Sequence, residues 1–125
     1  MSYFISITSG PVFSKNPASS NETFSFTYTI KNTGDAPAVA YDDPFQQGVF
    51  VGYRFTSQDG NVAEENAKFF ANLGPGESAE DTQFASFDKP GVYTLIMGAD
   101  PREAIGGVTG KGQGNSVTAQ VSLID

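Results

Sequence analysis

The chain contains no cysteine and no histidine. The missing cysteine excludes disulfides, thiolate metal sites and a cysteine nucleophile, so its 125 residues must hold a core by packing alone. With histidine missing as well, acid–base or nucleophilic catalysis would fall to carboxylates, Ser/Thr or Lys. Fourteen acidic residues could supply a carboxylate pair, but nothing in their spacing selects two of them. Positive charge is also sparse. The seven basic residues (Lys15, Lys31, Arg54, Lys68, Lys89, Arg102 and Lys111) stand singly, and the formal charge is −7. Nucleic-acid binding needs clustered Lys and Arg to displace phosphate counterions, so no nucleic-acid partner is expected. An anionic membrane surface would be avoided for the same reason. No run approaches the ~20 apolar residues of a membrane span, so no membrane insertion is expected. The opening Met1-Ser2-Tyr3-Phe4-Ile5-Ser6-Ile7 lacks the basic and apolar regions of a signal peptide.

Leucine is scarce, whereas eleven Phe and five Tyr supply large apolar area. That bias favours strands over helices, and fourteen Gly with seven Pro point to many turns. Phe24, Phe26, Tyr28 and Ile30 alternate with Ser25, Thr27, Thr29 and Lys31, the period of a strand with one apolar face. The strand ends at Asn32-Thr33-Gly34-Asp35, and Ala36 to Tyr41 reads as a short partner strand. Gly48 to Thr56 is another strand, with Val49, Val51, Tyr53 and Phe55 on one face and Phe50 and Arg54 on the other. It leads to Asp59-Gly60, a hairpin signal. Val62 to Ala71 is ambiguous: residues 63–68 suit one helical turn, whereas Phe69-Phe70 suits a strand or a packed loop.

Leu73 to Glu77 forms a turn, Ser78 to Phe87 a strand, and Asp88-Lys89-Pro90-Gly91 another turn. Val92 to Ala99 alternates little and reads as a central strand covered on both faces. Residues 100–114 are a Gly-rich loop. The last strand, Asn115 to Ile124, turns Val117, Ala119, Val121 and Leu123 inward. With Tyr3 to Thr8 as the first strand, the chain reads as one all-β domain. It is an immunoglobulin-like antiparallel sandwich of seven to eight strands, with a barrel as the structural rival.

Three pieces in order carry a family likeness: Phe26-Thr27-Tyr28-Thr29-Ile30-Lys31-Asn32-Thr33-Gly34-Asp35-Ala36-Pro37; Leu73-Gly74-Pro75-Gly76-Glu77-Ser78; and Pro90-Gly91-Val92-Tyr93-Thr94-Leu95 with Ala99-Asp100-Pro101. Over about residues 20–125 the chain resembles the bacterial and archaeal CARDB family, immunoglobulin-like modules associated with cell adhesion. Asn115 takes the place of that family's Asn near the last strand. The connections 41–48 and 62–72 are longer than a minimal repeat, and Gly106 to Gly114 replaces the acidic end of the family's last loop. Tyr53 to Gly60 and Leu73 to Ser78 are loosely similar to BsuPI-type intracellular proteinase inhibitors. The CARDB resemblance implies an extracellular or cell-surface location. Tyr93, just after Pro-Gly at a strand start, suits a corner tyrosine whose hydroxyl bonds nearby backbone.

The remaining motifs are weighed against plain structural roles. Gly110-Lys111 fails as a phosphate loop, because Ile105 stands at the required first Gly and Gly112 at the required Ser/Thr. Asn115 replaces the third Gly of a dinucleotide fingerprint. Asp42-Asp43 and Asp59-Gly60-Asn61 offer hard oxygen ligands that calcium could use, but turn chemistry accounts for them, and no cofactor is expected. Asn21-Glu22-Thr23 matches a glycosylation acceptor, a short pattern with meaning only in a secretory pathway that glycosylates. Phe45, Phe50, Phe69 and Phe70 fall outside the simple alternation and are either core or an aromatic binding surface. Tyr3, Ile5 and Ile7 form one face of an N-terminal arm that either pairs within its domain or adds to a neighbour's edge.

The expectation is therefore a non-catalytic structural or adhesion module acting through protein contacts, with self-assembly through strand edges or the arm. The alternative is a soluble carbohydrate- or proteinase-binding module using aromatic loops. Candidate partner-contact residues are Tyr3, Ile5, Ile7, Phe45, Phe50 and Phe70.

Overall fold

The structure is a computed structural model and describes residues 3–38, 49–70, 73–110 and 112–125. All regular elements among them are strands: β1 (Ile5–Phe13), β2 (Ala18–Ser19), β3 (Phe24–Asn32), β4 (Phe50–Ser57), β5 (Val62–Phe69), β6 (Ser78–Ala85), β7 (Gly91–Ala99) and β8 (Ser116–Ile124). One sheet has the order β1-β3-β6 and the other β2-β8-β7-β4-β5. Every pairing is antiparallel except the two-residue β2, which runs parallel to the end of β8. This is the expected all-β, immunoglobulin-like sandwich.

The alternation of β3 sets the core. Phe24, Phe26, Tyr28 and Ile30 are buried, while their neighbours face outward. Phe55 of β4 meets Phe24 and Phe26 edge-on at 6.0 and 5.4 Å, and Tyr53 meets Phe26 at 5.1 Å. These contacts lie within the 4.5–7 Å range favoured by aromatic quadrupoles. Aromatic area thus fills the space that leucines occupy in other sandwiches. As expected, β7 is central, between β8 and β4, with Leu95 and Met97 fully enclosed.

The resemblance-bearing motifs turn out to be the joints of the sandwich. Asn32 is fully buried at the end of β3. Its Oδ1 accepts from the Gly34 and Phe4 amides at 3.0 and 3.3 Å, and its Nδ2 donates to the Ala36 and Leu73 carbonyls at 2.9 and 3.0 Å. Its backbone also clasps the Gly74-Pro75-Gly76 turn, with the Gly76 amide donating to the Asn32 carbonyl at 2.8 Å. Tyr93 Oη donates to the Lys89 carbonyl at 2.8 Å, the expected corner, and its ring stacks on Phe87 at 4.4 Å.

Four local readings change. Residues 63–68 form strand β5, not a helical turn, because the Asp59-Gly60 turn sends the chain back along β4. The expected partner strand at 36–41 has no strand at 36–38, and its remainder lies outside the described residues. The first strand runs on to Phe13, through two register shifts against β3. Finally, residues 105–106 of the Gly-rich loop lie against the outer face of the larger sheet. Ile105 and Val108 pair around Gly106 and Gly107, both at positive φ (67 and 80°), as a two-residue hairpin turn needs. Ile105 presses so close to Gly52 that a Cβ there would collide with its carbonyl.

Candidate functional site

The sequence-derived contact residues do not converge on one surface. Ile5 and Ile7 face the core at 0 and 6% exposure, which corrects their reading as accessible partner contacts. The arm that carries them is bonded on both sides within its own domain. One side pairs with β3. On the other, the Ile5 amide donates to the Gln113 carbonyl at 2.8 Å, and the Ile7 amide to Asn115 Oδ1 at 2.7 Å. Asn115 is thus the residue that stitches the first strand to the entry of the last. Tyr3 is partly exposed and donates from Oη to Asp100 Oδ2 at 2.8 Å, fixing the Asp100-Pro101 corner. Phe50 is fully enclosed on the outer side of its sheet, with the Phe69 ring 5.6 Å away, and so is corrected from surface to interior. Phe70 is partly buried and stands edge-on to Tyr28 at 6.4 Å. Phe45, Asp42 and Asp43 lie outside the described residues. Asp59 sits in the β4–β5 turn, and among the described residues no three His, Cys, Asp or Glu side chains gather where a metal ion could be held.

Chemistry gathers instead along the seam between the outermost strands β5 and β6. The β5 positions sharing the inward face with Phe55, Tyr53 and Val51 are Glu64, Asn66 and Lys68. The β6 positions sharing it with Tyr28 and Phe26 are Asp81 and Gln83. Polar and charged residues therefore fill inward positions on both edges, a device that discourages edge-to-edge pairing. Asp81 Oδ2 accepts from Tyr28 Oη at 2.9 Å and from Gln83 Nε2 at 2.6 Å. Burial, then the charge and hydrogen bond of Asp81, push the Tyr28 hydroxyl far above its ordinary range. Tyr53 is raised as well, by burial first and the Glu64 charge second, partly opposed by a hydrogen bond with Asn66.

Glu64 is the uncompensated member of this cluster. Its residue is partly exposed, yet Oε2 is enclosed and meets no donor. Desolvation raises its pKa above the ordinary 4.5. A carboxyl whose pKa is higher folded than unfolded costs stability as pH rises through that window, and the full cost is present above it. Glu64→Gln is therefore expected to raise the melting temperature at pH 7 by a few degrees, on the order of 1 kcal/mol at most for a partly solvated group. The gain should vanish below pH 4. Paired thermal melts at pH 7 and pH 3.5 check this, and a gain that persists in acid would assign the effect to packing.

Two further surfaces stand out. At the corner-tyrosine end, the β4–β5 and β6–β7 turns enclose about 280 Å³ between Asp59, Val62, Asp88, Lys89 and Val92. On the outer face of the three-stranded sheet, Val12 and Phe84 are 62 and 63% exposed. The register places them diagonally across β3, flanking Thr27 and Thr82, whose hydroxyls bond at 2.9 Å. The charged side chains of this face are Lys31 and Glu80, at its far end. Neither outward-facing apolar residue was singled out in the sequence. Phe84 lies in the short Gln83-Phe84-Ala85 stretch, whose alternation with Ala79 and Asp81 as inward residues was the available signal.

The architecture defines an immunoglobulin-like β-sandwich. No family model matches the chain, and no curated protein matches it. Among solved structures the fold is similar to the CARDB domain of the PF1109 protein from Pyrococcus furiosus, a structure in complex with di-metal ions. That match has a TM-score of 0.56 and 17% identity, and covers 98% of this chain and 88% of that one. The alkylpurine DNA glycosylase AlkC of Pseudomonas fluorescens, bound to DNA containing an abasic site analog, matches at TM-score 0.63 and 16% identity. Here all of this chain covers 32% of the glycosylase. A β-glucosidase from Erythrobacter marinus matches at 0.58 and 12%, over 98% of this chain and 15% of the enzyme. At these identities the likeness is one of fold. It agrees with the CARDB resemblance of the turn motifs.

Proposed function

We propose that this chain is a non-catalytic, adhesion-type module that presents a preformed surface to a protein partner. The observation that carries this reading is the outer face of the β1-β3-β6 sheet, where Phe84 and Val12 stand exposed on ground almost free of charge. Exposed aromatic and aliphatic side chains on a sheet face are the chemistry of a protein interface, and their desolvation is the gain on docking. The CARDB-like fold supports the same reading. The guarded β5 and β6 edges and the doubly bonded β1 favour face-to-face contact over strand exchange. The ligand-binding alternative would rest on Phe69 and Phe70 among the described aromatics it named, since Phe50 is enclosed.

A photo-crosslinking residue placed at Phe84 tests this in the cells that make the protein, with the same residue at exposed Thr118 on the other sheet as control. The expected result is a protein adduct, identified by peptide mass spectrometry, from position 84 and not from 118. Equal or absent adducts at both positions would remove the reading.

A further inference from the structure

We propose that Asp59 is a site of covalent modification, the point at which the folded chain converts an aspartyl bond to an isoaspartyl one in water without an enzyme. The reaction needs a carboxyl carbon within reach of the next residue's amide nitrogen, and a following residue too small to shield that nitrogen. Asp59-Gly60 is the chain's single Asp-Gly pair, and Asn-Gly does not occur. Other candidates fail on stated grounds. Asn16 and Asp100 precede Pro17 and Pro101, whose ring nitrogens carry no hydrogen to lose. The side chains of Asn32, Asp81 and Asn115 are held by hydrogen bonds. Asp88 is exposed, but the Cβ of Lys89 stands beside the nitrogen that would attack.

The surroundings of Asp59 favour the step. Asp59 and Gly60 are exposed at the tip of the β4–β5 turn, and the Asp59 carboxyl holds no hydrogen bond or ion pair among the described residues. Gly60 is at φ +89°, and a Cβ built there would meet nothing within 4 Å, so water has an open path. The one restraint on the attacking nitrogen is its own hydrogen bond, from the Gly60 amide to the Ser57 carbonyl at 2.9 Å. A bond of that kind at a hairpin tip opens locally at little cost.

The atoms balance without an oxidant or reductant. The Gly60 nitrogen attacks the Asp59 side-chain carboxyl carbon; an N–C bond forms, a C–O bond breaks, and one water leaves, carrying the amide proton. The five-membered imide then takes one water back. Where the bond to the main-chain carbonyl is the one that opens, the main chain runs onward through the Asp59 β-carbon, and the former main-chain carbonyl becomes the free carboxylate. Mass is unchanged, but the turn is one methylene longer. Its two closing bonds, from Gly60 to Ser57 and from the Ser57 amide to the Asn61 carbonyl at 2.8 Å, no longer fit together. The loss falls on edge strand β5, which this turn holds in register with β4 from Thr56 and Val62 onward.

Ageing the purified chain at pH 7 and 37 °C, beside its free tryptic peptide spanning residues 55–68, tests the proposal. Peptide mapping with fragmentation that distinguishes the two linkages reads the converted fraction. Since one turn hydrogen bond must open first, the folded chain should convert at no less than about a tenth of the free-peptide rate. Position 88 should stay aspartyl. Gly60→Asn keeps the turn, because Asn tolerates positive φ, and should slow conversion several-fold in chain and peptide alike. The aged fraction should melt about 4 °C lower, for two lost turn bonds. A folded chain still unmodified when the free peptide has largely converted would overturn the site, and so would equal conversion at 59 and 88.

Discussion

Asn32→Ala is expected to destabilise the protein by about 3 kcal/mol, a large share of the ~5–15 kcal/mol that holds a domain together. The side chain is fully buried and its four hydrogen bonds run to four different residues: Phe4, Gly34, Ala36 and Leu73. Alanine leaves the Ala36 carbonyl and the Phe4 and Gly34 amides without this partner, while the Leu73 carbonyl keeps only the Ala38 amide at 2.7 Å. Each buried orphan costs roughly 1–3 kcal/mol, and partial relaxation trims the sum. Because Asn32 joins the end of β3 to the N-terminus and to the turn before β6, the loss should loosen three chain segments together. Asn32→Asp is the informative companion. It keeps the acceptor toward Phe4 and Gly34 but cannot donate to the two carbonyls, and it buries a charge, so it should be at least as damaging at pH 7. Urea unfolding measures both, and a loss below 1 kcal/mol for Asn32→Ala would show that the joint is not held by this side chain.

The same residue shows why much of the fold was legible and much of the site was not. Asn32-Thr33-Gly34 announces itself because a turn requires specific residue types at fixed positions. The strict alternation of Phe24 to Ile30 fixes a strand because burial of one face requires it. Tyr93 followed the same logic, since a Pro-Gly turn places the hydroxyl next to backbone. Residues 62–69 were opaque for the opposite reason. On that edge strand Glu64, Asn66 and Lys68 occupy the inward positions, so apolar periodicity is absent and the local composition imitates a helical turn. Only pairing with β4 reveals the strand. The loop at 100–110 was unreadable for a third reason: Gly106 lies against the Asn66 carbonyl and Ile105 against Gly52, approaches across the sheet that leave no local signature. Phe50 was placed outside the core by alternation, and it is enclosed because that sheet is covered on its outer side as well. The exposed pair on the β1-β3-β6 face has no local signature, because Phe84 has the sequence pattern of any strand residue and Val12 lies seventy-two positions away, across β3.

Phe55→Ala carries the largest expected loss, about 4 kcal/mol. The ring has no exposed surface and touches four others: Phe24, Phe26, Tyr53 and Phe87, at centroid distances of 6.0, 5.4, 6.3 and 5.1 Å. Truncation removes the transfer energy of the ring and leaves a void walled largely by other rings, each pinned by its own packing. Phe24 and Phe26 are fixed by β3 alternation, and Phe87 is stacked on Tyr93, so the cavity cannot collapse cheaply. The aliphatic neighbour able to relax toward the gap is Leu95, the cross-strand partner of Phe55 on β7, and it can fill only part of a ring's volume. Phe55→Leu refills part of the volume and should cost roughly half as much, with the edge-to-face contacts making up the remainder. Denaturant unfolding of the two variants separates these contributions. If Phe55→Leu proved as damaging as Phe55→Ala, the aromatic geometry would matter more than the filled volume, and the account of this core as a packing problem would be wrong.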